Sequence, residues 1–202
     1  MKALVSSLIE DYRKNASYWA GSAFESVTQF STDYKGKFGE ELLYNFLKEN
    51  TTLPVQWDAD ENTNNGDGVY DVFWILNAIK SRVEVKTSGR TVSNGKAVGW
   101  QHENVYFADN SWDYLAFIDY DADDSIVFSI MRYDETVNGA ELDLSAFGKK
   151  GHIRKNTGGK AKVDFSAKSH RLGIESGKSF RYQLGDDTTE LVSWMLDRFN
   201  AA

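Results

Sequence analysis

The 202-residue chain contains no cysteine. Disulfides and thiolate-held metals are therefore excluded. A single proline, Pro54, leaves no stretch that could act as a stiff polyproline linker. The three histidines, His102, His152 and His170, are widely spaced, which argues against a zinc site. No apolar run approaches the roughly 20 residues of a membrane span. The stretch Met1-Lys2-Ala3-Leu4-Val5 lacks the apolar core of a signal peptide. These absences predict a soluble cytoplasmic protein with no membrane partner. Aromatic residues are plentiful, at 14% within a hydrophobic content of 41%. That composition is globular, and the length suits one domain over 1–202 with a substantial core.

A formal net charge of -7 argues weakly against nucleic-acid binding, but the charge is uneven. Between Lys149 and Arg181 there are ten Lys or Arg and only two acids, Asp164 and Glu175. This local balance of +8 leaves -15 on the remainder. Such asymmetry predicts one basic face that meets a polyanion. Candidate phosphate contacts there are Lys149, Lys150, Arg154, Lys155, Lys160, Lys162, Lys168 and Arg171, with Arg90 and Lys96 upstream. Interleaved Gly, Ser, Thr and Asn suggest a loop-rich, partly β surface that can also offer backbone N–H groups. A solvated basic hairpin is the competing reading.

Apolar spacing predicts a helix over 2–20 and a second over 36–47. Ser31-Thr32-Asp33 supplies capping side chains between them. At 100° per residue, Phe38, Leu42, Leu43, Phe46 and Leu47 share one broad face of the second helix. Gly39 falls at the centre of that face, where it would let a strand approach. Glu40 sits at its edge, and Glu41 points away. Residues 48–68 read as a long polar connection. Residues 87–99 are polar, with a hairpin signal at Asn94-Gly95, and 100–104 form a polar cluster in which His102 could act as a general base. Strands are expected at 112–119 and 125–131. The intervening Asp119-Tyr120-Asp121-Ala122-Asp123-Asp124 resembles the start of an EF-hand loop, but it has Asp124 where the glycine belongs and Ile130 where the closing glutamate belongs, so a tight turn is expected. A short helix near 144–147, strands at 162–165 and 179–184, and a C-terminal helix over 188–199 complete the chain.

The stretch 71–86 reads as two strands joined by a short turn. Arg82-Val83-Glu84-Val85-Lys86 alternates, so Glu84 and Lys86 project from one face and the valines from the other. Asp71 opens the first strand and can lie beside Glu84 in a hairpin. Two carboxylates suit a hard divalent cation. Asp67, between two glycines, competes with Asp71 as the first carboxylate. Asp71 is preferred because an apolar strand would hold it rigidly.

Asp71, twelve residues, then Glu84-Val85-Lys86, preceded by Gly36-Lys37-Phe38-Gly39-Glu40, resembles the PD-(D/E)XK nuclease superfamily. The resemblance covers 36–119, with Tyr70 where the name motif has proline. It implies an α/β fold of restriction endonuclease type, a central mixed β-sheet flanked by helices, with a basic β-rich segment at 149–181. It implies a core over 36–131 and Mg²⁺, with Mn²⁺ as substitute, held by Asp71, Glu84, the Val85 carbonyl and Glu40. Lys86 would act on the attacking water, and Gln101 matches a glutamine that follows the core strands in several members. The activity implied is DNA endonuclease, of restriction or phage type, working as a homodimer on double-stranded DNA. A branched-DNA resolvase or an exonuclease stays open within that class. A non-catalytic nucleic-acid-binding protein on the same fold is the alternative outside it.

Overall fold

A computed structural model describes residues 2–58, 70–107, 112–138, 141–148, 154–156 and 160–200; of residues 2–5, 8, 11 and 154–156 it describes the backbone alone. The helices are α1 (Lys2–Trp19), α2 (Thr32–Asn50), α3 (Tyr133–Thr136), α4 (Ala167–Glu175) and α5 (Thr189–Arg198). The strands are β1 (Val55–Trp57), β2 (Val72–Leu76), β3 (Ile79–Gly89), β4 (Thr91–Ser93), β5 (Lys96–Tyr106), β6 (Tyr114–Tyr120), β7 (Ser125–Arg132), β8 (Val137–Asn138), β9 (Glu141–Leu142), β10 (Arg154–Asn156), β11 (Lys160–Phe165) and β12 (Ser179–Gln183).

Six strands form a central sheet in the order β1-β2-β3-β6-β7-β12. β3 and β6 run parallel and the other neighbours antiparallel, so the sheet is mixed. All of β6 and nearly all of β7 is buried, because both faces of the sheet are covered. On one face Val83, Val85, Ala116 and Ile118 meet Leu43 and Leu47 of α2, Trp19 at the end of α1, and Met195 of α5 with the adjoining Phe199. On the other, Leu115, Phe117 and Met131 meet Trp100, Val163 and Phe165 of a second sheet, ordered β10-β11-β5-β4. The helix-flanked mixed sheet is the fold class that the sequence predicts.

The predicted turns hold. Asn94 and Gly95 both have positive φ (52° and 72°), as a two-residue hairpin requires, and 121–124 close the β6–β7 turn. Helix α2 is longer than its apolar stripe suggested. Ser31 Oγ accepts from Tyr34 N–H, and the helix runs on to Asn50. A Cβ on Gly39 would stand 1.6 Å from Thr87 Oγ1. Glycine is what allows α2 to lie directly on β3.

Some expectations need correction or refinement. The stretch 48–68 is not one continuous connection, since β1 pairs with β2 as the edge of the sheet; Asp67 lies outside the described residues. The polar run 87–104 is strand: β3 continues to Gly89, and β5 alternates buried Trp100 and His102 with exposed Gln101 and Glu103. That period of two was hidden by polar residues on both faces. The basic segment is β-rich, with strands where 162–165 and 179–184 were expected, but it is divided: it supplies β10 and β11 to the second sheet, then α4, then β12 to the central sheet. Helix α4 gave little sequence signal because its buried positions are Ser169, His170 and Gly173. The hydrophobic core draws on both ends of the chain, through Trp19, Phe165, Met195 and Phe199.

The C-terminal helix is tied down by charge. Glu135 of α3 accepts from Arg198 Nη2 and meets Lys178 Nζ, each at 2.7 Å, while Arg198 also donates to the Ile130 carbonyl. Burial would raise the Glu135 pKa, but Arg198 and Lys178 outweigh it and hold it at about 2. A depressed carboxyl contributes stability above its unfolded pKa and loses it as pH falls through the folded value. Glu135→Gln is therefore expected to cost about 1–2 kcal/mol at neutral pH after solvent screening. In thermal melts the gap to wild type should close between about pH 4.5 and pH 2.

Candidate active site

The site is built on the β2–β3 hairpin. Val72 pairs with Val83, so Asp71 falls opposite Glu84, one step past the last pair. Asp71 N–H donates to the Val83 carbonyl at 2.8 Å, and its Oδ2 accepts the Val85 N–H at 2.7 Å. Both bonds fix the carboxylate at the sheet end, as its place at the start of an apolar strand predicted. Glu84 and Lys86 pair with Leu115 and Phe117 of β6 and share their face, while Val83 and Val85 lie under α2. Glu84 is only 3% exposed, because the second sheet covers its face as well. Lys86 Nζ forms an ion pair with Glu84 Oε1. Glu84 Oε2 is buried without a protein hydrogen-bond partner.

The electrostatics follow from this crowding. Burial first, and then the charge of Glu84, pushes the Asp71 carboxyl well above the usual range. Glu84 is also raised by burial, which Lys86 offsets only in part. Burial alone would lower Lys86, but Glu84 and Asp71 more than compensate and hold its ammonium form. A raised acid works against folding as pH climbs: the native state keeps a proton that the unfolded chain has already released, so stability falls between the unfolded and folded pKa. Asp71→Asn retains an acceptor for Val85 N–H and removes this buried charge. The metal-free variant should melt several degrees above wild type at neutral pH, and the advantage should shrink toward pH 4.

Glu40 projects from α2 toward the same end. Its Oε2 accepts from Trp57 Nε1 at 3.3 Å, and its charge contributes to the raised pKa values of Asp71, Glu84 and Lys86. Glu41 is exposed, as its helical angle predicted. A cleft of about 750 Å³ opens here, lined by Glu40, Val85, Lys86, Arg90 and Gln101 among others. Among the described residues no three His, Asp or Glu side chains stand together as a metal-ligand group. Two carboxylates remain as the donor set. That fits Mg²⁺, which keeps several waters and takes one or two protein carboxylates. The unpartnered Glu84 Oε2 and the elevated Asp71 are what a cation at this point would satisfy.

Other predicted residues are placed differently. Arg90 is tied to Asp121 at 2.5 Å and lies over the Trp100 ring. Asp121 also accepts from Tyr18 O–H. His102 is buried, with Nε2 2.9 Å from Asp119 Oδ1. His170 Nε2 is 2.7 Å from the other oxygen of Asp119. Burial would raise the Asp119 pKa, but the two imidazoles outweigh it and lower it. This cluster joins β5, β6 and α4. Of the basic residues, Lys162 pairs with Glu103, Arg171 with Glu175, Lys178 with Glu135 and Arg181 with Asp123. Lys96, Lys160 and Lys168 are exposed. Arg154 and Lys155 lie on β10, and Lys149 and Lys150 fall outside the described residues. The cations are thus spread over two sheets and a helix rather than gathered on one hairpin.

Sequence reasoning missed one wall of the cleft. Tyr12, Asn15 and Trp19 of α1 line it, and Asn15 Oδ1 accepts the Gly95 N–H at 3.0 Å. That contact spans 80 positions and leaves no local pattern to read.

Compared with models of known families and with curated proteins, the chain matches none. Among solved structures it is similar to a bacterial homing endonuclease, I-Ssp6803I, with 15% identity, over 68% of this chain and 79% of that one, at a TM-score of 0.41. A likeness at that score carries no argument about fold or chemistry.

Proposed function

We propose that this protein is a Mg²⁺-dependent DNA endonuclease with the site layout of the PD-(D/E)XK superfamily. The observation that carries the reading is the joint placement of Asp71, Glu84 and Lys86 at one sheet end beside an open cleft, with Glu84 Oε2 buried and unpartnered. A buried and a half-buried carboxylate, both with raised pKa values, are costly to a fold that does not use them. Asp71 and Glu84 would hold the metal, with Val85 supplying its carbonyl and Glu40 adding negative charge. When bound, Mg²⁺ supplies charge stabilisation for the phosphoryl oxygens and lowers the pKa of water. Lys86 does the rest of the electrostatic work. Its ammonium, kept protonated by Glu84 and Asp71, would stabilise the charge that develops on the phosphate. A cation that draws Glu84 to itself would weaken this hold and ease proton release from Lys86. Gln101, on β5 of the second sheet and in the lining of the same cleft, would contact the substrate.

The test is supercoiled plasmid with Mg²⁺, against an EDTA control. Nicked or linear product in Mg²⁺ and none in EDTA is the expected result. Firm DNA binding without cleavage in either Mg²⁺ or Mn²⁺ would favour a binding protein on this fold.

A further inference from the structure

Helix α1 closes one side of the cleft that leads to Lys86. Asn15 Oδ1 holds the Gly95 N–H of the β4–β5 turn, and Lys14 Cβ lies 3.5 Å from where a Cβ on Gly95 would stand. The opposing walls come from α2, with Lys35 and Glu40, and from the end of β3, with Lys86 and the following Arg90. Lys86 lines this cleft of about 750 Å³, and a strand laid along it meets all three walls.

The lining suits one strand. Tyr12 is 75% exposed although it stands in the cleft wall, so its ring offers a stacking face to a base. Lys35 and Lys86 offer charge to phosphates. Asn15 and Gln101 place amides beside them, the chemistry that reads unpaired base edges. Glu40 and Glu103 oppose this charge; Glu103 is paired with Lys162, and Glu40 stands at the end proposed to hold the metal. We infer that the nucleotides at the cleavage point enter this cleft unpaired, so that the substrate is single-stranded DNA or a duplex already opened at the cut. The inference rests on the nuclease reading above.

The test uses one labelled sequence in three forms: a single strand, a duplex with a central unpaired bubble, and a fully paired duplex with hairpin-closed ends. In Mg²⁺ the first two should be cut at least ten times faster than the third; equal rates would overturn the inference. Fluorescence anisotropy without metal gives an independent reading. The single strand should bind about ten-fold tighter than the closed duplex, Tyr12→Ala should remove about ten-fold of that, and Tyr12→Phe, which keeps the ring, should recover most of the loss. Duplex binding as tight as single-strand binding would overturn the inference. Preferential single-strand binding with no cleavage of any form would refute the nuclease reading and leave the cleft assignment standing. Because the chain has no cysteine, Lys14→Cys with Gly95→Cys can lock α1 to the turn: the 3.5 Å Cβ separation is within disulfide reach, and the reduced double variant controls for the strain of a side chain at Gly95, whose φ is +72°. The oxidised protein should still bind and cut the opened substrates. If oxidation stops both and reductant restores them, α1 must swing away for DNA to enter, and the inference fails.

Discussion

Lys86→Met is expected to lower the cleavage rate at least about 100-fold, the range for loss of a positioned acid–base or charge-stabilising group. It should also destabilise the metal-free protein. Lys86 Nζ is the cation on Glu84 Oε1, and Glu84 is 3% exposed. Removing one partner of a buried ion pair costs about 3–5 kcal/mol when the other stays charged. Glu84 escapes part of that cost by taking a proton, since burial already raises its pKa and Lys86 is what offsets the rise. The sign of the pH dependence follows. With its folded pKa raised further, Glu84 opposes folding increasingly as pH climbs above its unfolded value. The stability deficit of Lys86→Met should therefore be small near pH 4 and grow toward pH 8, as read from thermal melts. A deficit independent of pH would mean that Glu84 is not charged by default and that the ion pair is incidental.

Gly39→Ala is the second large effect. Elsewhere in a helix this change stabilises by up to about 1 kcal/mol. Here the new Cβ would stand 1.6 Å from Thr87 Oγ1 and 2.7 Å from Thr87 Cβ. Thr87 is β-branched and sits on a strand, so it has few rotamers in which to retreat. Overpacking of this kind costs about 1–3 kcal/mol. Pushing α2 off β3 also carries Glu40 away from Asp71 and Glu84, so activity should fall more than stability alone explains. Thr87→Gly opens the space. The double variant Gly39→Ala with Thr87→Gly should recover part of both losses, giving a coupling of about 0.5–3 kcal/mol in a double-mutant cycle. Additive effects would show that the helix–strand contact is looser than the geometry indicates.

Much of this arrangement is legible in the sequence, for definable reasons. The hairpin from Asp71 to Lys86 is written locally: two β-rich runs, a short turn, and alternation that separates Glu84 and Lys86 from Val83 and Val85. Gly39 stands out because it interrupts an apolar helical face, and the structure puts Thr87 against it. Helix angle alone separates Glu40 from Glu41. The second sheet was legible only at the Asn94-Gly95 turn and at 162–165. Its long strand β5 carries polar residues on the buried face too, because His102 meets Asp119 there. A buried imidazole–carboxylate contact looks, in sequence, like surface. Local charge counting shows the cations but not which of them are paired. The basic segment appeared as one patch because its partners, Glu103, Glu135 and Asp123, lie elsewhere in the chain. The closing of the cleft by α1 depends on the pairing of Asn15 with Gly95, which no local period encodes.

The most direct test of the central claim compares wild type with Glu84→Gln in single-turnover DNA cleavage at saturating protein, with DNA binding measured on the same samples. Glutamine keeps the shape of the side chain and removes the negative charge. The account predicts Mg²⁺-dependent cleavage by wild type and a loss of at least about 100-fold in Glu84→Gln, with DNA affinity equal to wild type or tighter. Cleavage by Glu84→Gln at the wild-type rate, or none by wild type on any DNA that it binds in Mg²⁺, would contradict it.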